Sequence, residues 1–262
     1  MRGVIQLNIA QFLLIYLLLV IVIAIMRRSR IDQTKLLLLA SARMTVQLIL
    51  AGLVLSYIFQ KPHPVFTLAY LGAMIAFSLY RTINKNPWLN TRFRVAVALS
   101  ITGSGLFIIA YFVLLVVGTN FFDPQYTITI GGMVIGNSMT GVTLGLRSFH
   151  DRLQDQRPQI EALLDIGAEP RRILLPMVNS ALETALLPTL NNMLGMGIIS
   201  LPGMMTGQIL AGTLPMTAIF YQIAIMIAIC TAVCLTVFCS LHFGYQTLYN
   251  KRNQILLDFT TK

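Results

Sequence analysis

Long runs without a charge alternate with short basic stretches along the whole chain. A helix that crosses a bilayer needs about twenty mostly apolar residues. Runs of that kind fall at about 8–26, 36–59, 64–80, 95–117, 126–146, 184–201 and 216–241. The second carries Arg43 near its start, the sixth is the weakest, and the last is strongly apolar. The pattern predicts an all-α, polytopic integral membrane protein of about seven transmembrane helices, forming one membrane domain over residues 1–262.

Composition supports this reading. Apolar residues make up 56% of the 262, charged residues only 11%, and the mean hydropathy is +0.75. Soluble domains carry roughly a quarter charged residues, so the outer surface of this chain must face lipid. The net charge of +10 would suggest nucleic acid in a soluble protein. Here the basic residues alternate with the spans instead of forming one face, which argues against a nucleic-acid partner.

Their distribution orients the chain. Arg27, Arg28, Arg30 and Lys35 follow the first span, and Arg81, Lys85, Arg92 and Arg94 follow the third. Arg147, Arg152, Arg157, Arg171 and Arg172 follow the fifth, and Lys251, Arg252 and Lys262 follow the seventh. Only Arg2 and Lys61 fall on the other side, with Arg43 near a boundary. Cytoplasmic loops collect Lys and Arg, so the expected N-terminus is outside and the C-terminus cytoplasmic. The first span is too long, and too basic behind, for a signal peptide. It is expected to remain as a membrane helix.

The segment 147–183 between spans five and six holds most of the acids and reads as short helices. Pro158 suits a first helical position, and Glu161 favours the positive end of that helix. Ile160, Leu163 and Leu164 share one face at helical spacing, Gly167 stops the helix, and Pro170 opens another. The resulting knob could set an apolar edge into a partner's groove. A solvated linker would need neither the apolar face nor the glycine stop.

Glu161-Ala162 followed by Gly167-Ala168 resembles the coupling loop of ABC-transporter permeases, with Leu163 where that loop has alanine and Leu175-Pro176 arriving early. Residues 131–140, 167–171 and 200–213 together resemble the permease family of the bacterial iron exporter FetB, which includes plant proteins linked to aluminium tolerance. The resemblance covers nearly the whole chain. It implies a permease subunit in a bacterial cytoplasmic (inner) membrane, exporting a metal ion, iron being the first guess. It implies a separate ABC ATPase as partner and a transporter holding two copies of each subunit. Glu161, Ala162, Leu163, Leu164, Gly167, Ala168 and Arg171 would form the ATPase-coupling loop.

The residues are consistent with that division of labour. No Gly-x-x-x-x-Gly-Lys loop is present, and none of the lysines follows a glycine. ATP and Mg would therefore sit on the partner, with no cofactor held by this chain. Polar groups inside spans are costly and often functional, which singles out Asn137, Asn191 and Asn192. Met133, Met139, Met193, Met196, Met204 and Met205 lie close by, and thioethers suit soft cations. Leu201-Pro202-Gly203 is either a broken helix lining a path or an ordinary turn. The expected path comprises Gly136, Asn137, Met139, Asn191, Asn192, Pro202, Gly203, Met204, Met205 and Gly207. The pairs Gly132/Gly136, Gly141/Gly145 and Gly203/Gly207 suit close helix packing.

A stand-alone channel or secondary transporter is the competing reading, but it leaves the 147–183 segment without a purpose and lacks an ionisable residue deep in a span. An intramembrane enzyme would need a zinc-binding His-Glu pattern or paired aspartates, and neither occurs. Cys230 and Cys234 share a helix face; packing is the simpler account of them than metal binding, and a disulfide on one helix is geometrically unfavourable.

Overall fold

The computed structural model describes residues 8–250, and every described element of regular structure is helical. Arg2, Lys251, Arg252 and Lys262, which entered the charge pattern, lie outside the described residues. The first apolar run divides into α1 (Ile9–Leu14) and α2 (Leu17–Arg28). It is followed by α3 (Thr34–Gln60), α4 (Pro64–Lys85) and α5 (Thr91–Tyr111). A π-helical segment, Phe112–Val117, extends α5 and ends at Gly118, whose φ of 75° only glycine adopts cheaply.

The second half holds α6 (Pro124–Asp155), α7 (Arg157–Asp165) and α8 (Pro170–Gly195). α9 (Gly203–Leu210) and α10 (Pro215–Tyr245) complete it. Local chemistry sets several of the starts. Asp123 accepts from the Gln125 amide at 3.0 Å to cap α6, and Asn90 accepts from Phe93 at 2.7 Å to cap α5. Proline stands in the first turn of α4, α6, α7, α8 and α10, where its missing N–H costs nothing.

Among the described residues, five helices are long and apolar enough to cross a membrane: α3, α4, α5 with its π segment, α8 and α10. The seven-span pattern therefore reduces to five on length and apolarity, for two reasons. α2 has 12 residues, which reach about 18 Å, short of the roughly 30 Å hydrocarbon core. α6 has the length, at 32 residues, but its glycines, threonines and Asn137 dilute its apolarity. The sixth run is also displaced. Its helix starts at Pro170 and ends at Gly195, not at 184 and 201, because Gly197 turns the chain at φ 80°. α8 passes through Pro176 and Pro188.

α10 is the central helix, packed most extensively on α5 and then on α6 and α8, with α4 on the far side of α6. Its inward positions run from Ala218 through Ile225, Val233 and Val237 to Tyr245. They meet Phe93, Val97 and Ile101 of α5 and Val142, Leu146 and Phe149 of α6 in one core. Close approach depends on glycine. A Cβ on Gly141 would stand 2.6 Å from Val233, one on Gly145 would stand 3.0 Å from Val237, and one on Gly244 would collide with the Phe93 ring. Polar bonds fasten one end of the bundle: Asn90 donates to the Thr247 carbonyl at 3.1 Å and accepts from its hydroxyl at 3.2 Å.

Candidate functional site

The knob between α6 and α8 folds much as its residues predict. α7 ends in a paired glycine cap. The Ala168 amide donates to the Leu163 carbonyl and the Gly167 amide to the Leu164 carbonyl, both at 2.9 Å. Gly167 takes φ 83°, and Pro170 opens α8. The apolar face is used differently from the expectation. Ile160 is buried, and Leu163, Leu164 and Ala168 pack against the protein's own core, because α7 lies between α6 and α8. What α7 presents outward is Glu161, Ala162, Asp165, Ile166 and Gly167, with Arg171 exposed on the first turn of α8.

Ile166 is 79% exposed at the tip of this knob. It escaped the sequence reading because it lies off the Ile160–Leu164 face. An apolar side chain one residue before the glycine stop was the available signal. Glu161 is held by Arg157 at 2.7 Å within α7. A groove of about 500 Å³ runs beside the knob between α6 and α8, lined by Arg147, Asp151, Arg152, Asp155 and Thr184 among others. Ser148 donates to Thr184 at 3.3 Å across it.

His150, on the same end of α6, stacks on Trp88 of the α4–α5 loop at 4.7 Å. Its Nε2 pairs with Gln154 at 3.0 Å, while its buried Nδ1 has no partner. Burial lowers its pKa below the ordinary 6.5, with Asp151 opposing the shift. The ring is thus held towards its neutral form.

The expected path residues fall into two groups. On α6, Asn137 and Thr140 are exposed and bond back to their own helix, Asn137 to the Met133 carbonyl at 2.8 Å and Thr140 to that of Gly136 at 3.0 Å. Gly136 and Met139 are half-buried, and nothing lies within 4 Å of where a Gly136 Cβ would be. Asn191 and Asn192 are exposed on α8, which packs on α6. Both helices of this packed pair therefore carry exposed amide side chains.

The second group surrounds α9. Pro202 precedes α9 as its N-cap, Gly203 and Gly207 are exposed in open space, and Met204 and Met205 are half-buried, Met204 against the core. The Pro202-Gly203 break is thus a short helix between two turns, the second made by Gly212 at φ 99°. Among the described residues no group of three His, Cys, Asp or Glu could hold a metal ion. Cys230, Cys234 and Cys239 are free, half-buried thiols. Of the three small-residue pairs, Gly141/Gly145 makes the tight contact with α10, a Cβ on Gly132 would stand 3.3 Å from Met74, and a Cβ on Gly203 or Gly207 would meet nothing within 4 Å.

Long apolar helices closed on one another through buried glycines, with exposed asparagines on one packed pair of helices, define a multi-pass α-helical membrane protein. The family model described as "Uncharacterised protein family (UPF0014)" matches residues 9–249, and the chain belongs to that family. It is 33% identical over 219 residues to the UPF0014 membrane protein YjkA of Bacillus subtilis, covering 83% of this chain and 86% of the relative. It is 29% identical over 241 residues to the probable iron export permease protein FetB of Escherichia coli, covering 92% of each. Protein ALUMINUM SENSITIVE 3 of Arabidopsis thaliana is 32% identical over 215 residues, or 82% of this chain and 77% of its own. No solved structure matches the chain.

Proposed function

We propose that this chain is the membrane permease of an ATP-driven exporter of a metal cation, with iron the first candidate. It carries no ATP site of its own. ATP and Mg reside on a separate ABC ATPase, and two permeases join two ATPases in a bacterial inner membrane. The chain acts as one permease domain with its coupling segment at 147–183. It crosses seven times, with α2 and α6 as the two spans of lower apolarity or length, the N-terminus outside and the knob in the cytoplasm.

The observation that carries this reading is α7. A helix nine residues long, stopped by a glycine cap and braced between two spans, exposes Ile166 at its tip. Such a lever transmits a partner's closure to α6 and α8 as a rigid-body movement. The exposed asparagines of α6 and α8 then suit a path completed by a second copy, since lipid is a poor neighbour for Asn137, Asn191 and Asn192. FetB, so closely matched in length, is named a probable iron export permease protein, which supports iron as the first cation to try.

The test is the chain co-reconstituted in liposomes with its ATPase, with ATP hydrolysis and metal efflux recorded against iron, manganese, zinc, copper and aluminium. Stimulation by one of them, lost in Ile166→Asp with the variant still inserted and folded, is the expected result. Normal coupling in that variant would remove the role given to the knob. A complex that hydrolyses ATP but answers to no metal would remove the cargo, and failure to bind any ATPase would favour a stand-alone transporter.

A further inference from the structure

At the end of the bundle opposite α7, one polar side chain is buried among apolar ones. Gln222 lies two turns inside α10 and is 8% exposed. Its Nε2 donates to the thioether sulfur of Met196, just past the end of α8, at 3.9 Å. Its Oε1 is fully buried and has no hydrogen-bond partner. An amide oxygen left unsatisfied in an apolar setting is destabilising, and leucine or methionine would avoid that cost. α9 packs against α10, and its Gln208 carries a second buried carbonyl oxygen without a partner. Three consecutive elements thus bring one sulfur and two unengaged amide oxygens to the same end of the bundle.

We infer that Met196 and Gln222 form a cation-binding site for a soft or borderline transition-metal ion, with Gln208 adding an oxygen from α9. The inference rests on the metal-export reading above and names where that cargo would be held near the outer face. Turning the Gln222 amide about its last torsion exchanges nitrogen for oxygen, so the oxygen then stands beside the sulfur. Two ligands of this kind on one tetrahedral ion, with bonds near 2.3 Å to sulfur and 2.1 Å to oxygen, lie about 3.6 Å apart. The observed 3.9 Å leaves only a few tenths of an ångström to close.

The donor set also fits the task. Thioether and amide groups carry no charge, so they hold a cation weakly enough to release it, as a transport site must. Thioether sulfur favours soft ions such as copper(I) and accepts borderline iron(II). Hard ions such as magnesium and aluminium prefer carboxylates and water. Met196 is half-buried in the turn after α8, so the pair is reachable from outside the helix bundle.

The measurement is metal binding by the full chain alone in lipid nanodiscs, by equilibrium dialysis against iron(II), copper(I), manganese(II) and magnesium. Wild-type protein is expected to bind iron(II) or copper(I) and not magnesium. Met196→Leu and Gln222→Leu should each weaken binding at least tenfold with no loss of thermal stability. Gln222→Glu should tighten it at least tenfold, because a carboxylate adds charge; a purely structural glutamine would show no such gain. Wild-type affinity in both leucine variants overturns the site, as does a wild-type chain that binds no metal. The export reading is judged separately by ATP-driven efflux from the reconstituted complex. Efflux unaffected by Met196→Leu and Gln222→Leu sinks the site and leaves export standing. Binding that depends on Gln222, in a complex that moves no metal, keeps the site and discards export.

Discussion

α3 and α10 are both long, mostly apolar helices, of 27 and 31 residues, and they end up in opposite surroundings. α10 is buried along one side from Ala218 to Tyr245, whereas α3 buries only Ile58. Apolarity does not separate them, since lipid tails are as apolar as leucine and provide no reason to bury one helix rather than another. Shape separates them. α10 faces a helix whose Gly141 and Gly145 admit it to within side-chain contact, and its Gly244 accepts the Phe93 ring. The glycine of α3, Gly52, meets nothing within 4 Å. Dispersion between closely fitted backbones holds a membrane bundle together, and α3 has no surface to supply it.

The largest expected effect follows from breaking that fit. Gly141→Leu drives a branched side chain into Val233 and should cost about 3 kcal/mol, read as loss of a monodisperse, folded species in detergent. Tolerance of this change would mean that α6 and α10 are not apposed as described. Gly167→Ala should cost about 1 kcal/mol from its left-handed backbone alone, because its Cβ meets nothing. Asparagine there should recover most of the loss in a thermal melt.

A smaller effect is set by pH at the α6–α4 corner. His150 has its folded pKa depressed, so the unfolded chain binds the proton more readily. Its contribution is therefore present above pH 6.5 and is lost as pH falls from 6.5 through the lower folded value. Melting curves across that window should flatten in His150→Gln. The smallest effect belongs to α3. Leu53→Ala, at an exposed position, should change stability by no more than about 0.5 kcal/mol, and a larger loss would reveal a neighbour on α3.

The α7 knob was readable in outline because its signals are local. Proline fixes where a helix starts, and a glycine at positive φ fixes where it stops, whatever lies around it. The direction of its apolar face was not readable, since that depends on α6 and α8 closing over Ile160. Gln222 was passed over for the opposite reason. One glutamine in a long apolar run looks incidental until its oxygen is found buried with no donor near it. Asn137, Asn191 and Asn192 stand out in the sequence as polar residues in apolar runs, but only the fold shows that all three are exposed on two helices packed together.

What the amino-acid order determines alone is the membrane character, the helical class and most helix limits, because each follows from the length of an apolar run and the residues at its ends. Where a run thins out, as in the sixth span, the limits slip by several residues. Which helices touch, which glycines matter and which polar atoms are left without partners are decided by the tertiary structure, because those depend on distances of a few ångströms between residues far apart in the chain. In lipid, where burial itself is nearly neutral, those short distances carry most of the specificity.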